Sequence, residues 1–422
     1  MPSLDFLVTT KNSPNPRGIT SICSAHPLVI EAALLNGRKT GATVLIEATC
    51  NQVNQFGGYT GMTPADFVGF VGTITDRVDF PRHDLLLGGD HLGPLTWADE
   101  TPESAMRKAK DLVHAYVSAG FGKIHLDCSM PCAGEGALPL ERIAQRTAEL
   151  ALVAEQTAAA TGTAFPGYVI GSEVPPAGGA RAAEAKLTVT QPADAARTIE
   201  TTRRAFLIRG LEAAWGRVLA LVVQPGVEFG DRTVHEYNRS AASGLKGFIE
   251  GEAGLVFEAH STDYQSRTAL RQLVEDHFAI LKVGPWLTFA LREAVFALAD
   301  MEAELVEGET SRIRLILEDE MLRNPVHWQK HYAGTPEQQK IARITSFSDR
   351  IRYYWSAPAV QEAFTLLMKN LGDRPLPLTL LETHLPAQYQ KVRSGGLQNL
   401  PSLVLLDHVT DVLTVYAEAC GA

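Results

Sequence analysis

Eight short β-branched runs recur up to Gly284, each followed by polar or Gly/Pro punctuation, with long amphipathic stretches between most of them, and this rhythm leaves few folds open to the chain. The runs are Ile19–Cys23, Thr43–Thr49, Leu85–Gly89, Lys123–Asp127, Tyr168–Val174, Leu219–Pro225, Leu255–Ser261 and Phe278–Gly284. Helical stretches fall between them at Pro27–Asn36, Thr63–Thr75, Pro102–Ala119, Leu140–Thr161, Ala193–Trp215 and Asp263–Asp276. Eight consecutive βα units predict a closed parallel (β/α)8 TIM barrel over residues 1–300. An open doubly wound sheet is the competing architecture, and no GxGxxG follows the first run to support it. After about residue 300 the strand rhythm stops. Residues 301–422 read as a C-terminal helical extension or cap, broken near Asn324-Pro325, Pro375 to Pro377 and Ser394 to Gly396.

Composition narrows the function classes. With 422 residues, 45% hydrophobic and 20% charged, the chain is long enough to bury one large core. A formal charge of −10 supplies no general field for nucleic acid or an anionic membrane, so any anion must be bound locally. Apolar runs such as Val218–Val223 fall far short of the roughly 18 to 20 residues of a membrane span. The N-terminus lacks a basic segment followed by an apolar one, so a cytoplasmic protein is expected. Five cysteines without a CxxC pair argue against a disulfide framework and a structural zinc knuckle.

Parallel barrels carry their chemistry at the C-terminal ends of the strands. The second run ends with Glu47, then Asn51 and Gln52; the third leads into Asp90-His91; the fourth carries His125 and Asp127, two apart on one face. The fifth supplies Glu173, the sixth Gln224, the seventh Glu258 and His260, the eighth Lys282. Carboxylates gathered near a barrel interior are costly unless paired or bound to a cation, so a divalent metal is expected. His91, Glu173 and His260 form a nitrogen/oxygen set suited to Zn²⁺, Mn²⁺ or a similar ion. His125 sits mid-run, where a satisfied core histidine is an equal reading. Asp90 is a candidate general base and Asp127, Glu258 or Glu47 the opposite acid; orientation of the histidines is the alternative role for each. The loops after the seventh and eighth runs offer Ser261, Lys282 and Gly284 to a phosphate, with a salt bridge as the alternative for Lys282. In the extension, Arg350 and Arg352 belong to the run SDRIRYYW, which either packs or closes over substrate or a partner chain.

Long strings resemble one family, the Z-type (GatZ/KbaZ) subunits of tagatose-1,6-bisphosphate aldolase. They include ICSAHPLVIEAAL (Ile22 to Leu34), NQVNQFGGYTGMTPADF (Asn51 to Phe67), GGDHLGP (Gly88 to Pro94), EAHSTDYQ (Glu258 to Gln265), HFAILKVGP, LTFALREA and SDRIRYYW. The resemblance implies a TIM-barrel aldolase fold and a place in galactitol, N-acetylgalactosamine or tagatose catabolism. It also implies a phosphorylated ketohexose as substrate and a Y-type aldolase subunit as candidate partner, with a homo-oligomer left open. The Asp90-His91 step is similar to that of class II aldolases, where the His binds zinc and the Asp moves a proton. Some members carry a tagatose 6-phosphate kinase label, but the sequence has neither GxxxxGK[ST] nor a kinase-type Gly-rich loop. Aldol cleavage and 4-epimerisation share a metal-stabilised enediolate formed as C3–C4 opens, so both reactions, and a noncatalytic role as stabilising partner, are carried forward.

Overall fold

A computed structural model describes residues 4–172 and 187–422; Glu173 and Val174 of the fifth run lie outside them. Eight parallel strands form a closed barrel: β1 (Ile19–Ile22), β2 (Val44–Thr49), β3 (Leu85–Leu92), β4 (Lys123–Leu126), β5 (Gly167–Gly171), β6 (Val218–Val222), β7 (Val256–Ala259) and β8 (Phe278–Val283). Each strand pairs with its neighbours in sequence, and β8 closes onto β1 with Ile19 opposite Ile280 and Ile22 opposite Val283. The expected (β/α)8 barrel is therefore the architecture.

The outer layer holds α1 (Pro27–Thr40), α2 (Pro64–Arg77), α3 (Pro102–Ser118), α4 (Leu140–Thr161), α5 (Pro192–Ile208), α6 (Ser243–Gly251), α7 (Arg267–Glu275) and α8 (Pro285–Leu305). Proline opens α1, α2, α3, α5 and α8, where its missing N–H has no intrahelical partner to lose. Thr63, Thr101 and Ser266 cap α2, α3 and α7 through their hydroxyls. The stretch expected as one helix from Ala193 to Trp215 breaks after Ile208, where Gly210 adopts φ +68° before a short helix at Glu212–Trp215. The helix expected from Asp263 begins instead at Arg267, because the Asp263 side chain caps α8.

Beyond α8 run α9 (Ile313–Arg323), α10 (Pro336–Thr345), α11 (Pro358–Leu371), α12 (Leu378–His384), α13 (Pro386–Arg393) and α14 (Pro401–Cys420). Helix α8 continues through residues 300 and 301, and α14 returns to pack on α1, α7 and α8. The buried Tyr416 hydroxyl of α14 donates to the Thr262 carbonyl at 2.8 Å, which ties the last helix to the end of β7. Two apolar regions result. One lies between the strands and the helices; the other, with Ile19, Leu45, Leu86, Val169, Ala220, Val256 and Ile280, fills the barrel and is closed by Leu4 and Leu7 of the N-terminal segment. All five cysteines are free thiols. Among the described residues, no helix is long and apolar enough to cross a membrane.

Candidate metal centre

Side chains along a strand alternate between its faces, so the residues two and four positions beyond the apolar floor point into the same interior. On β2 the step is Leu45 to Glu47, on β3 Leu86 through Gly88 to Asp90, on β7 Val256 through Glu258 to His260, and on β8 Ile280 to Lys282. Strand β4 carries polar groups at each inward step, Lys123, His125 and Asp127. The interior therefore has an apolar floor, a charged middle layer and a mouth rich in histidine.

The middle layer is a fully buried ion lattice. Lys123 Nζ lies 2.5 Å from Glu47 Oε1 and 2.7 Å from Glu258 Oε2; Lys282 Nζ lies 2.9 Å from Glu47 Oε2, 3.5 Å from Glu258 Oε1, and also pairs with Asp90. Burial alone would raise the Glu258 carboxyl, but Lys123 and then Lys282 hold it well below its ordinary value. Burial likewise opposes the charge on Lys282, yet Asp90, Glu47 and Glu258 carry its ammonium well above the usual lysine value. A Cβ on Gly88 would meet Glu47 Oε1 at 2.5 Å, so glycine is what lets this carboxylate lie against β3.

Above it, three imidazole rings converge. The His91 ring centroid lies 4.9 Å from that of His125 and 4.9 Å from that of His260, and the last two are 5.3 Å apart. In each ring one nitrogen faces an oxygen acceptor: His91 Nδ1 faces Asp127 Oδ2 at 3.1 Å, His125 Nε2 the Gly171 carbonyl at 3.0 Å, and His260 Nε2 faces Glu258 Oε1 at 2.9 Å. A neutral imidazole that donates from one nitrogen keeps a lone pair on the other, here His91 Nε2 and His125 Nδ1. The backbone N–H of His91 points to His125 Nδ1 at 3.3 Å, in keeping with that tautomer, while Asp90 Oδ1 stands 2.9 Å from the same nitrogen. A proton on that nitrogen, or a cation beside it, would satisfy both groups. Ligand atoms of Asp90, His91, His125 and His260 all lie within 4.8 Å of one another, a cluster able to hold a metal ion.

Charge supports the fit. Among the described residues of the barrel interior, four buried carboxylates, Glu47, Asp90, Asp127 and Glu258, face two ammonium groups, Lys123 and Lys282, an excess of two negative charges that a divalent cation would balance. The histidines differ in what they do without it. Burial depresses the His91 imidazole, but Asp90 and Asp127 outweigh burial and lift it above its ordinary value; a proton then stands where a cation would. Burial and the nearby Lys282 push His260 down to about 3, so it stays neutral. Nitrogen with carboxylate oxygen suits Zn²⁺ or a similar ion.

Local backbone serves this geometry. His91 holds φ +51° and Ser261 φ +52°, left-handed values uncommon for residues with a Cβ, and both flank the cluster. The loop after β3 passes so close to β4 that a Cβ on Gly93 would fall 1.8 Å from the Asp127 carbonyl oxygen.

A cavity of about 190 Å³ opens over the cluster, and among the predicted residues Asn51, Gln52, Asp90, His91, Asp127, His260, Ser261, Lys282, Gly284 and Arg352 line it. Glu47 and Glu258 lie beneath, inside the lattice. Two predicted substrate residues are placed elsewhere: Gln224 Oε1 accepts from the backbone N–H groups of Gly226 and Val227, and buried Arg350 donates to the His327 carbonyl at 2.8 Å. Glu173 lies outside the described residues. At the loop after the eighth run, where Gly284 is a candidate for phosphate, the N-terminus of α8 is occupied by a side chain, because Asp263 Oδ1 accepts from Gly284 N at 3.0 Å and Trp286 N at 2.8 Å. Lys123, Tyr59 and Tyr353 escaped the sequence reading, and His125 was weighed equally as core. The alternation Lys123, His125, Asp127 is the signal that would have found two of them.

A family model for the D-tagatose-1,6-bisphosphate aldolase subunit GatZ/KbaZ-like proteins matches residues 4–421. Among solved structures, that of a "probable tagatose 6 phosphate kinase" from Sinorhizobium meliloti 1021 is 48% identical, with a TM-score of 0.88 over 96% of this chain and 100% of that one. Two remoter structures are the fructose-bisphosphate aldolase of Campylobacter jejuni (14% identity, TM-score 0.46, 87% of this chain and 90% of that) and the YdjI aldolase of Escherichia coli K12 (10%, 0.44, 87% and 98%).

Proposed function

The chain belongs to the GatZ/KbaZ-like family of D-tagatose-1,6-bisphosphate aldolase subunits, and from that premise we propose that it is itself a metal-dependent enzyme of the cytoplasm, acting at C3–C4 of a phosphorylated ketohexose of the tagatose type. The observation that carries this reading is the convergence of Asp90, His91, His125 and His260 at the barrel mouth, beneath a cavity. A purely stabilising subunit has no need of carboxylates and imidazoles desolvated together around two uncompensated charges.

His91, His125 and His260 would hold the ion, with Asp90 beside it. When bound, a divalent cation supplies Lewis-acid polarisation of the C2 carbonyl and stabilises the charge that develops as C3–C4 opens. Asp127 fixes the His91 tautomer from behind and also accepts from the Ser129 hydroxyl at 2.6 Å, so its oxygens are engaged in orientation. Asp90 lines the cavity and is the carboxylate placed to take the C4 hydroxyl proton. Burial would raise Asp90, but His91 and Lys282 hold it well below its ordinary value, which keeps it ionised. Lys282 meets three carboxylates, so its part is to keep Asp90 charged within the lattice. Residues 301–422 cap the mouth in this reading, through Arg352 and Tyr353. Departure of the aldehyde fragment makes the reaction a cleavage; rotation and re-addition make it a 4-epimerisation.

The test is direct. The purified chain is assayed on tagatose 6-phosphate and tagatose 1,6-bisphosphate, with and without chelator, with metal analysis in parallel. Chelator-sensitive turnover of either substrate supports the proposal. No turnover, with activation of an added Y-type subunit, assigns the chain the partner role; ATP-dependent phosphorylation of tagatose 6-phosphate would restore the kinase reading.

A further inference from the structure

A second cavity of about 360 Å³ adjoins the first, and the two share Cys23, Gln52, Tyr59, Gly284 and Arg352. Their electrostatics differ. Asp90, Asp127 and Asp263 line the first cavity, whereas among the described residues no Asp or Glu lines the second. Arg352 stands at the junction, half-buried. Its guanidinium donates to the backbone carbonyls of Ser348 and Asp349 and to the Tyr353 hydroxyl, all neutral groups, and no carboxylate pairs with it among the described residues. The acids that act on it from a distance are already engaged: Asp349 pairs with Arg292 Nε at 2.8 Å and accepts from the Thr288 hydroxyl at 2.6 Å, and Asp263 caps α8. A guanidinium held by neutral partners keeps its full charge toward the space it faces.

Other features of the same cavity add to this. Helix α11 opens at its edge with Ala357 as N-cap and no side-chain cap, and Ser356 and Gln361 line the wall there. Pro358 has no N–H and the N–H groups of Val360 and Gln361 donate to the Ala357 carbonyl, so the helix contributes its dipole rather than a set of open donors to an anion there. His26 is kept neutral, since burial lowers it to about 3, and its Nδ1 accepts from Leu28 N at 3.3 Å, which leaves the proton on Nε2 as a donor.

We propose that the second cavity is a phosphoryl-binding site, taking the phosphate of a sugar whose carbonyl end lies over the histidine cluster, with Arg352 as its charged contact. This rests on the reading of the first cavity as a sugar-phosphate site. Asp263 closes the helix N-terminus of α8 to such an anion, and the adjoining cavity supplies the alternative.

Calorimetric titration of the full, metal-stripped chain with inorganic phosphate, a ketohexose 6-phosphate and the unphosphorylated ketohexose tests it. The phosphorylated sugar should bind at least tenfold more tightly than the free one. Arg352→Gln should weaken inorganic phosphate and the sugar phosphate at least tenfold, and Arg352→Lys by less. Ser356→Glu, an exposed position, should weaken both anions while leaving the melting temperature unchanged, and it decides the matter should Arg352→Gln fail to fold. Equal binding of the phosphorylated and free sugars, or wild-type phosphate affinity in Ser356→Glu or a folded Arg352→Gln, overturns the proposal. Because the metal is absent throughout, a failure of the metal reading appears separately, as no metal taken up by a chain that still binds phosphate.

Discussion

The two polar layers inside the barrel lie one strand step apart, yet they solve the problem of buried charge in opposite ways. In the middle layer Glu47 and Glu258 are matched in number by Lys123 and Lys282, with Lys282 reaching Asp90 and Glu258 reaching His260 in the layer above. At the mouth Asp90 and Asp127 are set among three imidazoles whose outward nitrogens are turned to Asp127, Gly171 and Glu258. The first arrangement needs nothing from outside. The second, in the proposed reading, is completed by a cation, and the difference would then mark where stability ends and chemistry begins.

Breaking the closed layer should have the largest effect. Lys123→Met removes one ammonium and leaves Lys282 alone to hold Glu47 and Glu258 in a fully buried site, which costs on the order of 3–5 kcal/mol. Denaturant unfolding measures it; a loss below about 1 kcal/mol would show that the lattice is not the charge-matched unit described.

Another buried carboxylate, Asp263, sharpens the contrast, because among the described residues no ammonium or imidazole pairs with it and it accepts from the backbone N–H groups of Gly284 and Trp286, with the Arg352 charge acting from further off. Burial carries its pKa from the ordinary 3.8 up to about 6, against the lowered Glu258. Ionisation of Asp263 therefore costs the folded state nothing below pH 3.8, and a cost grows through the window to pH 6 and is complete above it. Asp263→Asn keeps an oxygen for the cap and cannot ionise. Its stability relative to the wild type should rise across that window by at most about 3 kcal/mol and then stay level. A flat difference from pH 4 to 7 refutes the assignment.

The open layer predicts linkage to metal. Adding Zn²⁺ at about a hundredfold above its dissociation constant should stabilise the chain by about 2.7 kcal/mol, and chelator should reverse it. His91→Ala should abolish both shifts and the bound metal, while the metal-free chain unfolds near the wild-type point. A chelator response that survives in His91→Ala would place the ion elsewhere.

Much of this was legible in the sequence, and the reasons are physical. Parallel strands buried on both faces read as continuous β-branched runs, so all eight were found, and proline before most helices marked their starts. Asp90, His91 and His260 were legible because they fall at run ends, where barrels place function. The reading was less complete where a residue's partner is remote in sequence. Lys123 looks like the first residue of a strand until Glu258 is opposite it. Asp263 looks like the start of α7 until Gly284 and Trp286 claim its carboxylate. Arg350 and Arg352 cannot be told apart by spacing, yet one caps a backbone turn and the other lines the cavity.

The finest test separates holding an ion from orienting its ligand. Among the described residues Asp127 hydrogen-bonds the cluster through His91 Nδ1, and Ser129 occupies its other oxygen. Asp127→Asn keeps the shape but can present an N–H to that nitrogen, which favours the wrong imidazole tautomer and costs His91 Nε2 its lone pair. Loss of such a partner behind a ligating histidine typically weakens metal affinity by about 10 to 100-fold. Competition against a metal indicator should show that loss with an unchanged stoichiometry of one ion per chain, whereas His91→Ala loses the ion outright. Were the two variants to behave alike, Asp127 would be a ligand and the division between the closed and open layers would have to be redrawn.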